Sequence, residues 1–326
     1  MDVVATFKET TIPVILDPTK HAFTKILENR RSEIEGYPHQ TFQFGTTYRH
    51  QLDVFYPDPA AVSSGGPIPV LFFVYGGGFT SGDRKQAPPF DLGYTNVGVF
   101  FAKRGPSLKL PVTCSILTVI PDYRLHPSVN YPAPVEDVRD ALAWFLANPS
   151  VVTSASNGTL SSTADISTLF VMGHSAGSNH VASLYLSPSL LPIDSPVRAA
   201  TRGLLPAGGA YVFSFPNAVT PPGLLEAYYG SQEAALENMP LTLLKRASEE
   251  LIKSLPLFFV LKSEHEPEAI SKGNDEFVEA LEGRLGKKVQ YEIMKRHNHI
   301  SPHWALLSGD GEDWGEDVAV WVKARI

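Results

Sequence analysis

Apolar positions along the chain follow two periods. Short runs rich in Val, Ile, Phe and Tyr, alternating or wholly apolar, occur at residues 41–48, 51–56, 70–75, 115–120, 168–172, 208–213, 257–261 and 289–293. A period of two, or an unbroken apolar run of this length, predicts a strand, so eight strands are expected. Helical spacing takes over at 97–103, 135–147, 175–186, 274–285 and 317–323. Strands alternating with helices predict an α/β fold: a mostly parallel eight-stranded sheet covered by helices on both faces, with the first two strands as an antiparallel start. No Pro/Gly/Ser-rich linker or repeat divides the chain, so residues 1–326 read as one domain. Two segments, 1–40 and 216–255, break the alternation with mixed amphipathic character. Stretches such as Leu224-Leu225-Glu226-Ala227-Tyr228-Tyr229 would lay apolar faces over the strand ends, so both segments are expected to be elements of a small helical lid, with ordinary packing helices as the alternative.

In open α/β sheets, ligands bind outside the carboxyl ends of the strands. Chemistry is concentrated there. Tyr75-Gly76-Gly77-Gly78-Phe79 ends one strand and Gly173-His174-Ser175-Ala176-Gly177 follows another. Ser263-Glu264-His265-Glu266-Pro267 and His297-Asn298-His299-Ile300-Ser301-Pro302-His303 follow the last two. A G-x-S-x-G pentapeptide between a strand and a helix is the nucleophile elbow of α/β-hydrolases, in which the glycines make room for a strained turn that exposes the serine Oγ. Serine is a weak nucleophile, so attack on a carbonyl needs a base, an acid to orient it and donors for the developing oxyanion. Gly77 and Gly78 are candidate donors because a glycine run lets backbone N–H groups approach a substrate oxygen, and the N–H of Ala176 is the third. The same run fits a dinucleotide fingerprint poorly, because Ser81 stands where the last glycine belongs.

For the base, His297, His299 and His303 compete. Their spacing would also suit zinc, but no matching cluster of cysteines or carboxylates stands elsewhere, and neither metal nor other cofactor is expected. Glu266 is the preferred acid and Glu264 the alternative. Phe79, Phe213, Phe215, Tyr228, Tyr229 and Trp304 fall on strand-end or lid segments and are expected to line an apolar pocket.

With 326 residues, 43% of them hydrophobic, the chain can bury a large core. Its net charge of -7 and lack of a basic cluster disfavour nucleic acid as a partner. No run approaches the ~20 apolar residues that span a bilayer, and the first 20 residues lack a signal-peptide pattern, so a cytoplasmic protein without a membrane partner is expected. Cys114, the single cysteine, excludes an intrachain disulfide and sits in an apolar run, where an inert buried thiol is expected. The partner expected is a small-molecule ester or amide; a homodimer is left open.

Beyond these local readings, the motifs together resemble the hormone-sensitive-lipase-like branch of the α/β-hydrolases, with similarity also to arylformamidases. Gly76-Gly77-Gly78-Phe79-Thr80-Ser81-Gly82-Asp83 resembles the oxyanion loop of that branch. Pro121-Asp122-Tyr123-Arg124-Leu125-His126-Pro127 resembles its DYRLAP motif, and Tyr131-Pro132-Ala133-Pro134-Val135-Glu136-Asp137 its FPAALED motif. The motifs run in family order from about residue 41 to the end of the chain. Carried over by position, the resemblance implies the α/β-hydrolase fold, Ser175 as nucleophile, Glu266 as acid and His299 as base. It also implies hydrolysis of small to medium carboxylic esters through an acyl-enzyme. The arylformamidase similarity implies a second reading, amide hydrolysis of the N-formylkynurenine kind, and a non-catalytic small-molecule receptor is a third. Three departures stand out: Tyr75 replaces the histidine that opens the glycine loop, Glu266 the commoner aspartate, and His126 an alanine.

Overall fold

The computed structural model describes residues 1–58, 66–103, 116–215 and 219–326. Cys114, Ser115 at the start of one expected strand, and residues 216–218 of the second expected lid segment lie outside the described residues. The strands are His39–Gln43 (β1), Gln51–Phe55 (β2), Val70–Val74 (β3), Leu117–Pro121 (β4), Leu169–His174 (β5), Thr201–Ala207 (β6), Leu257–His265 (β7) and Gln290–Asn298 (β8). They form one sheet in the order β1-β2-β4-β3-β5-β6-β7-β8. β1 pairs antiparallel with β2, and β2 with β4; the pairs from β4 through β8 are parallel. Unbroken apolar runs take the centre: every residue of β3, β4 and β5 is buried, while β1 at the edge is only half-covered.

The strand expected at 208–213 is a correction. The chain there is irregular, and the strand is Thr201–Ala207, immediately before it. Gly203 and Pro206 obscure that strand in the sequence. Tertiary packing overrides propensity: a Cβ on Gly203 would lie 2.5 Å from the Trp321 ring, so the glycine makes room for the indole. Gly208, at φ 51°, then turns the chain out of the sheet. The first strand is also shorter than expected, because residues beyond Gln43 form the turn into β2, closed by the Phe44 N–H donating to the His50 carbonyl at 2.8 Å. β7 and β8 run further than expected, which puts Glu266 and His299 directly at their ends.

The helix Ala176–Leu186 is buried along its whole length and packs against Ala133–Ala147 and Pro240–Arg246. The helix Ile12–Glu28 buries Ile15, Thr19, Phe23 and Leu27, four positions at a spacing of one turn, against the Ser301–Ala305 helix that follows the last strand. From residue 219 the second expected lid segment folds into short helices, beginning with Leu224–Tyr229. Among the described residues, no helix is long and apolar enough to cross a membrane.

Candidate active site

β5 ends at His174, and Ser175 turns the chain sharply, with φ 54° and ψ −121°. L-residues seldom occupy this region, and the surroundings hold it. The Ser175 N–H donates to the Ala207 carbonyl at 3.0 Å. A Cβ on Gly173 would lie 2.6 Å from Ser178 Cα, and one on Gly177 would strike the carbonyl oxygens of Val74 and Tyr75. Both glycines therefore permit the close approach of helix and strand that the turn requires. The helix begins at Ala176, whose N–H, in the first turn, has no intrahelical acceptor.

The carboxyl ends of β7 and β8 bring two distant residues to this serine. His299 Nε2 lies 2.9 Å from Ser175 Oγ, and His299 Nδ1 lies 2.6 Å from Glu266 Oε2. A carboxylate accepts only, so Nδ1 carries the proton and donates to Glu266, which leaves the Nε2 lone pair to accept from the serine hydroxyl. Burial alone would raise the Glu266 carboxyl, but the electrostatic attraction and hydrogen bond of His299, with help from His174 and the Ser263 N–H at 3.2 Å, hold it below the usual range.

The competing residues have other partners. His297 is occupied at both nitrogens, by Ser301 Oγ and the Gly311 carbonyl, each at 2.9 Å. Glu264 pairs at the surface with Lys295 at 3.1 Å and accepts the Arg296 N–H at 2.8 Å. His303 stacks on Tyr94, ring centroids 5.0 Å apart, and burial keeps it neutral by lowering its pKa well below the ordinary value. His174, part of the elbow but given no role by the sequence, also proves structural to the site. Its Nε2 donates to the His299 carbonyl at 2.8 Å, tying the histidine loop to the strand that leads into Ser175, and burial lowers its pKa to about 3.

Ser175 and His299 open into a cavity of about 300 Å³. Gly76, Gly77, Gly78 and Ala176 form one wall. Gly77 and Gly78 adopt φ 143° and 58°, and a Cβ on Gly76 would lie 2.7 Å from Ser175 Cβ. Of the aromatics expected here, Phe79 and Trp304 line the cavity. Phe213, Tyr228 and Tyr229 do not, which corrects the expectation: they are buried behind Phe79 in a separate aromatic cluster. Phe79 stacks on Tyr228 with centroids 4.7 Å apart, and Tyr228 meets Tyr229 edge-on at 4.9 Å. The helix Leu224–Tyr229 points Leu225, Tyr228 and Tyr229 inward at helical spacing, so the tyrosines anchor that helix instead of facing substrate. Both irregular segments reach the cavity, through Ile12, Leu16 and Lys20 on one side and Val219, Thr220, Pro221 and Leu224 on the other.

A family model described as alpha/beta hydrolase fold matches residues 93–192, the span that carries the elbow. Among solved structures, an esterase from Pseudomonas putida superposes with a TM-score of 0.62 at 19% identity, over 94% of this chain and 90% of that one. Esterase B from Lactobacillus rhamnosis gives 0.64 at 14% identity, covering 96% and 95%. A hyperthermophilic esterase from the archaeon Pyrobaculum calidifontis gives 0.63 at 16%, covering 99% and 96%. This chain has the α/β-hydrolase fold.

Within that hydrolase fold, the resembling motifs brace the glycine loop. Tyr75, fully buried, donates its hydroxyl to Asp122 Oδ1 at 2.7 Å and accepts from Arg49 Nη2 at 2.8 Å. Arg49 also donates to the carbonyls of Gly82 and Tyr123, both at 2.7 Å, and Tyr123 Oη donates to the Tyr75 carbonyl at 2.7 Å. A tyrosine thus holds the loop from the position where the resemblance puts a histidine. Burial pushes the Asp122 carboxyl up to about 6, with Asp83 adding to the rise. Arg124 and Asp137, one from each of the next two motifs, clasp through Nη2 to Oδ1 at 2.7 Å and Nε to Oδ2 at 2.9 Å. His126 makes a surface contact to Asn130 at 2.9 Å, while its N–H donates to the Phe79 carbonyl at 3.1 Å. Arg49 and Gly208 carry no sequence motif, and neither was singled out by local pattern.

Proposed function

We propose that this protein is a serine hydrolase that cleaves small to medium carboxylic esters through an acyl-enzyme. One observation carries the reading: the unbroken hydrogen-bonded line Glu266, His299, Ser175, with steps of 2.6 and 2.9 Å, at the wall of a ligand-sized cavity. Ser175 Oγ attacks the ester carbonyl carbon while its proton passes to His299 Nε2, and Glu266 stabilises the imidazolium through Nδ1–H. The N–H groups of Gly77, Gly78 and Ala176 receive the developing oxyanion. His299 then gives its proton to the leaving alkoxide, and the alcohol departs. In the second half, His299 takes a proton from water, the hydroxide attacks the acyl carbon, and the carboxylic acid leaves as Ser175 regains its proton. Solved esterases of the same fold support the reaction class.

A cavity of about 300 Å³ suits short and medium acyl groups. The test is turnover of soluble p-nitrophenyl acyl esters, paired with labelling by a serine-reactive organophosphonate. The natural chain is expected to hydrolyse the esters and to be labelled at Ser175, and Ser175→Ala to lose both while folding normally. Retention of most turnover by Ser175→Ala would remove the serine from the mechanism. Short-chain esters are expected to outrun emulsified long-chain triglycerides, and the reverse order would contradict the size assignment.

A further inference from the structure

The Ile12–Glu28 helix shows the cavity a stripe of its own: Ile12, Leu16 and Lys20, each one turn from the last. Two of the three are apolar and one is a cation. Among the described residues lining the cavity, Lys20 is the only lysine, arginine, aspartate or glutamate; the walls around it are glycines, apolar side chains, hydroxyls, histidines and the Gln86 amide. Its Nζ donates to the neutral Gln86 Oε1 at 3.0 Å and lies 4.9 Å from the centroid of the Phe90 ring. Among the described residues it makes no ion pair. The carboxylate that acts on it, Asp17, is exposed one turn earlier on the same helix and is not bonded to it.

A half-buried ammonium with ammonium hydrogens left over and no counter-ion is costly in a largely apolar cavity, and burial pulls its pKa down accordingly. An anionic ligand would supply the missing charge, and the low dielectric of the cavity would strengthen the contact. The site holds one ammonium and no arginine fork, which matches a single carboxylate better than a phosphate dianion.

We infer that the substrates of this site are esters bearing a carboxylate, such as half-esters of dicarboxylic acids, and that Lys20 is the residue that binds that carboxylate. The inference rests on the ester-hydrolase reading and narrows its substrate class. The alternative is a purely structural Lys20, whose stem packs on Phe90 and whose Nζ ties the helix to the loop at Gln86. That role would affect all esters alike.

The experiment compares kcat/KM for mono-p-nitrophenyl glutarate with kcat/KM for p-nitrophenyl butyrate in the natural protein, Lys20→Met and Lys20→Arg. The ratio of the two is the readout, because any loss of folded enzyme cancels from it. Lys20→Met is expected to lower the half-ester to neutral-ester ratio by about tenfold or more, the loss of one charge-assisted hydrogen bond, mainly through KM for the half-ester. Lys20→Arg is expected to keep most of the ratio. A ratio that moves less than about twofold in Lys20→Met, or a natural protein that turns over the butyrate ester but not the half-ester, would overturn the inference and leave the hydrolase reading standing. No turnover of either ester together with no organophosphonate labelling of Ser175 would remove the hydrolase reading itself, and this inference with it.

Discussion

Gly208 marks how little room surrounds the buried pair Glu266 and His299. It sits just beyond the end of β6 at φ 51°, and a Cβ there would lie 2.7 Å from Glu266 Oε1 and 3.4 Å from His299 Nδ1. Gly208→Ala therefore adds left-handed backbone strain of about 1 kcal/mol and pushes on the contact between carboxylate and imidazole. We expect kcat/KM for a short p-nitrophenyl ester to fall about 10- to 100-fold with the circular dichroism spectrum unchanged, a loss that follows from misplacing a base by a fraction of an ångström. Unaltered turnover in Gly208→Ala would mean that this contact does not control the reaction. In the sequence this glycine lies within an apolar stretch that predicts a strand, and nothing local marks its place beside residues that arrive from β7 and β8. Ser175 is the opposite case. Its glycines and flanking strand are neighbours in the chain, so the strained turn was legible before any contact was known.

At the scale of elements, the glycine loop after β3 stays in place because other segments grip it. Tyr75 joins Asp122 and Arg49, which come from the end of β4 and the turn before β2. Tyr75→Phe would leave Asp122, only 3% exposed, short of its Tyr75 donor and free the Arg49 bond. We expect a stability loss of about 1–3 kcal/mol, read from the urea midpoint, together with a lower kcat at little-changed KM. That split follows if the loop supplies donors to the transition state more than to bound substrate. A variant as stable and as fast as the natural chain would show the brace to be dispensable. The alternation of strands and helices was legible because period is a local property. The β6 segment was not, since its Gly203 and Pro206 look like strand breakers until Trp321 is seen filling the space beside the glycine.

The whole molecule buries an unusual set of neutral histidines. Burial lowers His174 and His180 to about 3 and His297 to about 4, and takes His303 well below its ordinary value. Each folded pKa lies below the ~6.5 of an unfolded chain, so between those values the unfolded state binds more protons. Stability is therefore full above about pH 6.5 and falls as the pH drops toward 4, by about 2 kcal/mol per histidine at pH 5. Asp122, raised to about 6, acts the other way. Its contribution grows as the pH falls through 6, but at pH 5 it returns only about 1 kcal/mol. The net expectation is a urea midpoint markedly lower at pH 5 than at pH 7.5. His180, with no hydrogen-bond partner at either ring nitrogen among the described residues, isolates the effect: His180→Phe should recover about 2 kcal/mol of the acid loss. Equal midpoints at the two pH values, or no gain in His180→Phe, would contradict this account.

Properties set by neighbours in the chain were determined by the sequence alone: seven of the eight strands and their alternation with helices, an antiparallel start, and a serine on a turn that two glycines make sterically possible. These follow from side-chain period and backbone sterics, which need no distant partner. The residues read locally left three histidines open and the resemblance pointed to His299; the contact itself, between residues 124 positions apart, is made by the tertiary structure. It likewise set Glu266 against His299 while Glu264 turned to the surface, buried Phe213, Tyr228 and Tyr229 out of the cavity, and brought Lys20 into it. An aromatic or a lysine on an amphipathic helix carries no local mark of which neighbour its face will meet; the packing of whole elements supplies that.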